Sequence, residues 1–168
     1  MIYYRIEKFW DDEYKSLLYI NENFNDTEQI EYWKSVGYTN KFTGDMCDMR
    51  CTQPSWNQKF IDYFENKGWK DIGTSYYRMG TGVVLPAHRD LYTRYIDLFN
   101  LRGQERCIRR AIVFLENWRP GHYAEYQDIP YIKWTAGATV EWNYDEPHMA
   151  ANLGLEPRYT LQITGHVC

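Results

Sequence analysis

Short segments in the second half of the chain have the apolar and polar pattern of β-strands. They are rich in β-branched and aromatic residues, and Gly or Pro turns such as Gly80-Thr81-Gly82 and Glu156-Pro157 separate them. Many short strands joined by such turns indicate an antiparallel sandwich or barrel. The predicted strands are Ser75–Met79, Arg110–Glu116, Tyr131–Trp134, Thr139–Trp142 and Arg158–Thr164.

The first half of the chain has one clear helical pattern, at Trp56–Lys67. Phe60 and Phe64 recur at helical spacing, Ser55 stands where a capping residue belongs, and Gly68 stands where a helix ends. The pattern therefore predicts a helix that buries one aromatic face.

The length of 168 residues favours a single domain. A chain of this size buries about 70% of its unfolded surface, enough for a core without disulfides or metal. We expect residues 1–72 to form a helical or irregular N-terminal layer and residues 73–168 to form the β core. Residues 91–106 interrupt that core as a long excursion that could be helical. The predicted fold class is mostly β with N-terminal helices.

Composition and charge exclude several classes of protein. Aromatic residues make up 18% of the chain, too much apolar surface for a disordered protein, and the longest apolar run, Ala111–Leu115, cannot span a membrane. A net charge of -4 argues against general nucleic-acid binding. No secretory signal begins the chain, so we expect a cytoplasmic protein with free thiols. Its cysteines are Cys47, Cys51, Cys107 and Cys168.

The sharpest chemical feature is His88-Arg89-Asp90, followed downstream by His148. On an extended chain, residues two apart project to the same side, so His88 and Asp90 can converge on one ion. With His148 they would supply two imidazoles and one carboxylate. Non-haem Fe(II) oxygenases use this ligand set and leave positions open for a cosubstrate and O2. An H-x-D pair alone is a weak signal, because such pairs also occur in surface turns.

The predicted strand from Arg158 strengthens this interpretation. Arg158, Thr160, Gln162 and Thr164 alternate with apolar residues, so one face of the strand is polar, as expected if it lines a ligand cavity. An arginine offers two parallel hydrogen bonds to a carboxylate, and the Thr160 hydroxyl can add another.

These motifs together resemble the 2-oxoglutarate/Fe(II)-dependent dioxygenase superfamily, and in particular small oxygenases encoded by T4-type bacteriophages. A more distant similarity connects the chain to aspartyl/asparaginyl and prolyl hydroxylases. The resemblance covers roughly residues 76–165. It rests on Gly82-x-x-Leu85-Pro86-x-His88-x-Asp90, Trp134-x-x-Gly137, His148-x3-Asn152 and Arg158-x-Thr160.

The resemblance implies a double-stranded β-helix core, the jelly roll of cupin-like proteins. It implies that His88, Asp90 and His148 bind Fe(II), and that Arg158 and Thr160 hold the distal carboxylate of 2-oxoglutarate. The implied reaction uses O2 to decarboxylate 2-oxoglutarate to succinate and hydroxylates a C–H bond of a peptidyl or small-molecule substrate. The cell compartment would be the host cytoplasm if a phage encodes the protein.

Other residues are candidates for a second layer around the site or for contact with substrate. Strand parity does not decide which residue of an adjacent pair faces inward. Between His88 and Pro120 there are seven arginines, no lysine and four acidic residues, which could form an anion-attracting wall. The candidates are Asn152, Tyr77 (or its neighbour Tyr76), Arg110 (or Arg109), and Arg94 of the excursion.

Two other functions fit parts of the pattern. A zinc or manganese hydrolase could use the same three ligands, but it has no role for Arg158. A non-catalytic jelly-roll module that binds carbohydrate through aromatic residues would leave the spacing of the ligands as coincidence. We interpret His122 and His166 as ordinary surface or turn histidines.

Overall fold

The computed structural model describes residues 1–39 and 42–168. The helices are α1 (Thr27–Ser35), α2 (Asn57–Asn66) and α3 (Thr93–Leu98), with 3-10 turns at Asp12–Ser16 and Glu105–Cys107. The strands are β1 (Ile2–Arg5), β2 (Ile20–Asn21), β3 (Asp45–Asp48), β4 (Lys70–Met79), β5 (Val84–His88), β6 (Ile108–Phe114), β7 (His122–Tyr126), β8 (Ile129–Tyr131), β9 (Ala138–Asn143), β10 (His148–Asn152) and β11 (Arg158–His166).

The strands form two antiparallel sheets. The larger sheet has the order β1-β9-β6-β11-β4-β3-β2, and the smaller sheet has the order β5-β10-β7-β8. From β4 onward the chain passes repeatedly from one sheet to the other, which is the winding of a double-stranded β-helix. The predicted fold class, mostly β with N-terminal helices and a double-stranded β-helix core, is confirmed.

The two faces of the larger sheet have different roles. On its outer face, Leu161 and Tyr76 pack with Trp10, Phe60 and Phe64 from the N-terminal segment and α2. Because side chains alternate along a strand, the neighbours of these outward residues point between the two sheets. The N-terminal layer thus supplies the hydrophobic core on one side and leaves the other face for a site.

The helix prediction is confirmed at Asn57–Asn66, but its start differs. Trp56 is the N-terminal cap and makes no side-chain capping bond. Ser55 instead donates its hydroxyl to Glu13 Oε2 over 2.8 Å. Ser55 therefore does not cap the helix, and its hydrogen bond to Glu13 connects the start of α2 to the N-terminal segment.

Several strand boundaries also differ from the expectation. The strand expected at Tyr131–Trp134 ends at Tyr131, because Lys133 has a left-handed backbone with φ 57. Strands β5, β7 and β10 were not predicted: Pro86 interrupts the first pattern, and the sequence of the last lacks β-branched residues. The N-terminal 72 residues also hold β1, β2 and β3, which extend the larger sheet.

The expectation of four free thiols is wrong for one pair. Cys107 and Cys168 form a disulfide, with a Cα–Cα separation of 5.5 Å, whereas Cys47 and Cys51 are free. His122 and His166 are buried rather than at the surface, because both belong to sheet strands. In the described part of the chain, no helix has both the length and the apolar character to cross a membrane.

Candidate metal centre

The smaller sheet brings the His-Asp-His triad of His88, Asp90 and His148 together. His88 at the end of β5 lies directly opposite His148 at the start of β10, and their ring centroids are 4.4 Å apart. Asp90 follows two residues after His88, and each imidazole Nε2 lies 3.8 Å from one of its carboxylate oxygens. One ligand atom from each residue lies within 4.8 Å of the others, as in a group that could hold a metal ion.

Backbone carbonyls orient both imidazoles of the triad. His88 Nδ1 lies 2.8 Å from the Pro86 oxygen, and His148 Nδ1 lies 3.0 Å from the Glu146 oxygen. A carbonyl only accepts, so each Nδ1 carries a proton and each Nε2 is left facing Asp90. Metal-binding histidines are commonly fixed in this way. The arrangement suits a divalent cation.

Burial keeps His88 in the neutral form that binds metals. Burial and, to a lesser extent, the nearby His148 together lower the pKa of His88 to about 4. The pKa of Asp90 is also lowered, because Arg110 and the two imidazoles outweigh the desolvation of its carboxyl. At neutral pH His88 is therefore neutral and Asp90 is ionised, so a metal ion has no proton to displace from either residue.

The triad opens into a cavity of about 720 Å³ between the sheets. Phe24 and Trp33 from the N-terminal segment meet the His88 ring edge-on, at 5.1 and 6.0 Å between centroids. Trp142 of β9 lies 4.9 Å from the His148 ring. Sequence reasoning assigned no role in the site to these aromatic residues. Their spacing along the chain contains no signal that would have identified them.

Arg158 and Thr160 face this cavity from the central strand of the larger sheet. Arg158 is buried and donates from Nη1 to the Tyr123 carbonyl over 2.7 Å, but its Nε finds no partner among the described residues. Burial lowers the pKa of this guanidinium to about 10. Thr160 lies opposite Tyr77 in β4. The polar face of β11 thus points inward, where a ligand could approach an incompletely bonded arginine.

Strand parity did not decide which member of the pairs Tyr76/Tyr77 and Arg109/Arg110 faces the site, and the structure shows which one lines the cavity. Tyr77 lines the cavity, and burial raises its pKa to about 12. Tyr76 points to the opposite face and donates to Asn57 Oδ1 over 2.7 Å. Arg110 also lines the cavity, with Nη2 3.3 Å from Asp90 Oδ2.

The neighbour of Arg110 lies outside the cavity. Arg109 is half-buried and donates to the carbonyls of Arg106 and Ile108. These bonds hold its guanidinium near the chain turn before β6, so it is not among the residues that line the cavity.

Two further candidates lie in different places. Asn152 is buried outside the cavity lining, where its amide donates to the Met79 and Glu156 carbonyls at 2.8 Å. It fixes the turn between β10 and β11 and does not face the site. Arg94 of α3 is exposed at the cavity, whereas Arg102 pairs with Asp97 on the surface.

Comparison with known proteins supports the fold. A prolyl-4-hydroxylase from Pseudomonas putida aligns with a TM-score of 0.57 and 14% identity, over 84% of this chain and 83% of that one. At this identity the likeness concerns the fold alone. No family model matches the chain, and no curated protein matches it in sequence.

Two other solved structures align with TM-scores below 0.5 and carry no argument. A protein from Photorhabdus luminescens has a TM-score of 0.45 at 9% identity, over 75% of this chain and 78% of that one. A predicted oxalate decarboxylase from Thermotoga maritima has a TM-score of 0.41 at 10% identity, over 73% and 79%.

Proposed function

We propose that this protein is an Fe(II)- and 2-oxoglutarate-dependent dioxygenase that hydroxylates a C–H bond. The main support for the proposal is that the side chains of the triad are already oriented for binding a metal ion. Two imidazoles are bonded through Nδ1 to backbone carbonyls and direct Nε2 toward one carboxylate, at the wall of a cavity. His88, Asp90 and His148 would bind Fe(II) on one side and leave its other positions to the cavity.

The buried Arg158 supports 2-oxoglutarate as the cosubstrate. Within residues 1–39 and 42–168, Arg158 Nε has no hydrogen-bond partner. A buried cation in that state is destabilising, and a carboxylate that accepts from it would offset the destabilisation. The Thr160 hydroxyl faces the same space and can donate a further hydrogen bond. A metal-dependent hydrolase would bind the same cation but would leave this arginine without a partner.

In the proposed reaction, 2-oxoglutarate, O2 and a substrate C–H group become succinate, CO2 and an alcohol. Bound Fe(II) would supply the activation of O2 that this chemistry needs. The protein's own contribution is to hold the cosubstrate at Arg158 and to exclude water with the aromatic residues around His88. The Pseudomonas putida neighbour is described as a prolyl-4-hydroxylase, which is consistent with this class of reaction. We place the reaction in the cytoplasm, on a peptidyl or small-molecule substrate.

Anaerobic spectroscopy tests the proposal directly. Fe(II) and 2-oxoglutarate together should give a weak visible charge-transfer band, at about 500 nm, because the keto acid ligates iron through two oxygens. Exposure to O2 should then release succinate. His148→Ala should abolish both signals, whereas His122→Gln, which replaces a buried histidine outside the cavity lining, should keep both. Bound Fe(II) with neither band nor succinate would reject the dioxygenase and favour the hydrolase.

A further inference from the structure

A second group of buried donors lies in the same cavity, apart from Arg158. Arg110 has both Nε and Nη1 without a hydrogen-bond partner among the described residues, and the same is true of the Tyr92 hydroxyl and Trp142 Nε1. All three residues line the cavity, and each is at most 6% exposed. We call these three residues the donor cluster.

The donor cluster is compact and touches the triad. Arg110 lies directly opposite Trp142 in the β6–β9 pairing, and its Cζ is 4.8 Å from the Tyr92 ring centroid. Trp142 packs on His148, and Arg110 Nη2 contacts Asp90. Tyr92 has a left-handed backbone with φ 52, a conformation that bulky residues rarely adopt.

The chemistry of the donor cluster selects its ligand. A guanidinium and an indole can only donate, whereas a phenol can both donate and accept. The Tyr92 hydroxyl has polar interactions with Arg110 and Trp142, but none of these contacts has hydrogen-bond geometry. Buried donors without acceptors are destabilising, so the cluster is suited to a group that offers several acceptor oxygens. One nitrogen of Arg110, Nη2, already meets Asp90, and Nε and Nη1 lie on different sides of the guanidinium. A carboxylate can therefore accept one bond from Arg110 and further bonds from the Tyr92 hydroxyl or Trp142 Nε1.

The donor cluster is separate from the place proposed for the distal carboxylate of 2-oxoglutarate. In the β11–β6 pairing, Arg110 lies opposite Thr164, six residues along the strand from Arg158. At roughly 3.3 Å per residue, the two arginine backbones are about 20 Å apart. Arg158 therefore approaches the cavity from the start of β11, and Arg110 approaches it from β6, opposite the far end of β11.

We propose that Arg110, Tyr92 and Trp142 bind a carboxylate of the molecule that is hydroxylated, so the primary substrate is a carboxylic acid. This inference rests on the proposed function for the identity of the ligand, but not for the existence of the carboxylate site. It assigns Arg158 to the cosubstrate and Arg110 to the substrate. An amide or ester of the same molecule would bring no negative charge to Arg110, which would keep Asp90 as its counter-ion.

The probe for this site is acetate, with acetamide as its uncharged match. The full chain is loaded with Zn(II), which prevents turnover, and saturated with 2-oxoglutarate. The indole N–H signal of Trp142, assigned by its loss in Trp142→Phe, is then followed by NMR. Acetate should move this signal saturably, and acetamide should bind at least about 10-fold more weakly, because it lacks the charge.

Variants separate the donor cluster from its surroundings. Tyr92→Phe removes one hydroxyl with little change of shape and should weaken acetate binding about 5-fold, a typical value for one hydrogen bond. Arg110→Met should abolish it. The matched control is Arg109→Met, which removes the adjacent arginine outside the cavity and should leave acetate binding unchanged. Equal affinities in the wild type and Tyr92→Phe would overturn the proposal.

Three outcomes distinguish the possible sources of the carboxylate. If acetate binds after saturation with 2-oxoglutarate, the site accepts a second acid, as proposed. If 2-oxoglutarate itself moves the Trp142 signal and blocks acetate, the donor cluster belongs to the cosubstrate and the proposal is wrong. If the protein does not bind 2-oxoglutarate but still binds acetate, the proposed function fails while the carboxylate site stands.

The iron-loaded protein provides the final measurement. Pairs of carboxylic acids and their primary amides, including free amino acids, are tested for stimulation of succinate release. Acids should stimulate and the matched amides should not. Stimulation by amides alone would refute the assignment of a carboxylic acid as the primary substrate.

Discussion

Replacing Arg158 by methionine should have opposite effects on cosubstrate affinity and on stability. The guanidinium is buried and donates one bond to the Tyr123 carbonyl, and its Nε has no partner among the residues that the structure describes. Methionine fills a similar length without a charge. The variant therefore removes the group proposed to bind the carboxylate of 2-oxoglutarate. It also removes a buried cation whose desolvation destabilises the folded protein.

The loss of cosubstrate affinity should be large. Removing one partner of a desolvated charge pair costs about 2–5 kcal/mol, which corresponds to roughly a 30- to several-thousand-fold higher Kd for 2-oxoglutarate. Thr160→Val should cost only about 1 kcal/mol, because it removes a single hydrogen bond. The two variants therefore form a graded series within the same cavity.

The gain in stability follows from the lowered pKa of Arg158. A pKa of about 10 instead of 12.5 means that burial disfavours the charged form by about 3 kcal/mol at neutral pH. Loss of the bond to Tyr123 offsets about 1–2 kcal/mol of this. The free energy of unfolding of the ligand-free variant should therefore be about 1–2 kcal/mol higher than that of the wild type. For a chain of this length, this corresponds to a Tm higher by about 2–8 °C.

Calorimetry with Zn(II)-loaded protein measures the Kd, and denaturant unfolding of the metal-free protein measures the stability. Arg109→Met is the control for the loss of an arginine outside the cavity and should leave the Kd unchanged. An unchanged Kd in Arg158→Met would refute the assignment of this arginine to the cosubstrate. A lower unfolding free energy would show that Arg158 is held by interactions that stabilise the folded state.

Three further predictions concern the triad, pH and charge. Alanine at any member of the triad should remove stoichiometric Fe(II) binding, measured by metal analysis, and leave a folded protein; a variant that keeps its iron would refute the ligand set. Burial lowers the pKa of His122 to about 4 in the folded protein. As pH falls through 6.5, this histidine is therefore protonated in the unfolded chain but not in the folded protein. The metal-free protein should lose about 2 kcal/mol between pH 8 and pH 5 from this residue alone, a loss that denaturant unfolding should not detect in His122→Gln. Arg94→Glu should slow 2-oxoglutarate association in stopped-flow measurements at low salt, whereas Arg102→Glu, on the outer surface, should not; equal rates would remove the steering role.

The part of the site that can be predicted from the sequence consists of residues that lie close together along the chain. His88 and Asp90 are two residues apart, and the alternation from Arg158 to Thr164 identifies a strand with one polar face. In each case local geometry determines the direction of the side chains, so the pattern is readable without tertiary information. The same holds for the helix at Asn57–Asn66, whose aromatic stripe packs on the larger sheet.

Residues that meet only through sheet pairing could not be predicted in this way. The pairs Tyr76 and Tyr77, or Arg109 and Arg110, have equivalent patterns, and only the register with β11 decides which member faces inward. A one-residue shift of register would exchange them. Thr160 opposite Tyr77 settles the first pair.

The donor cluster shows the same limit at longer range. Tyr92, Arg110 and Trp142 come from the excursion, β6 and β9, and no motif connects them. They are identified by a tertiary property, namely that four of their polar atoms are buried together without hydrogen-bond partners in the described part of the chain. Native proteins leave few such groups unsatisfied, so their concentration beside the triad points to binding rather than to packing. Substrate recognition is therefore the part of the function that the sequence pattern does not predict. The residues proposed for it are recognised by their unsatisfied buried polar atoms, and only the tertiary structure shows these.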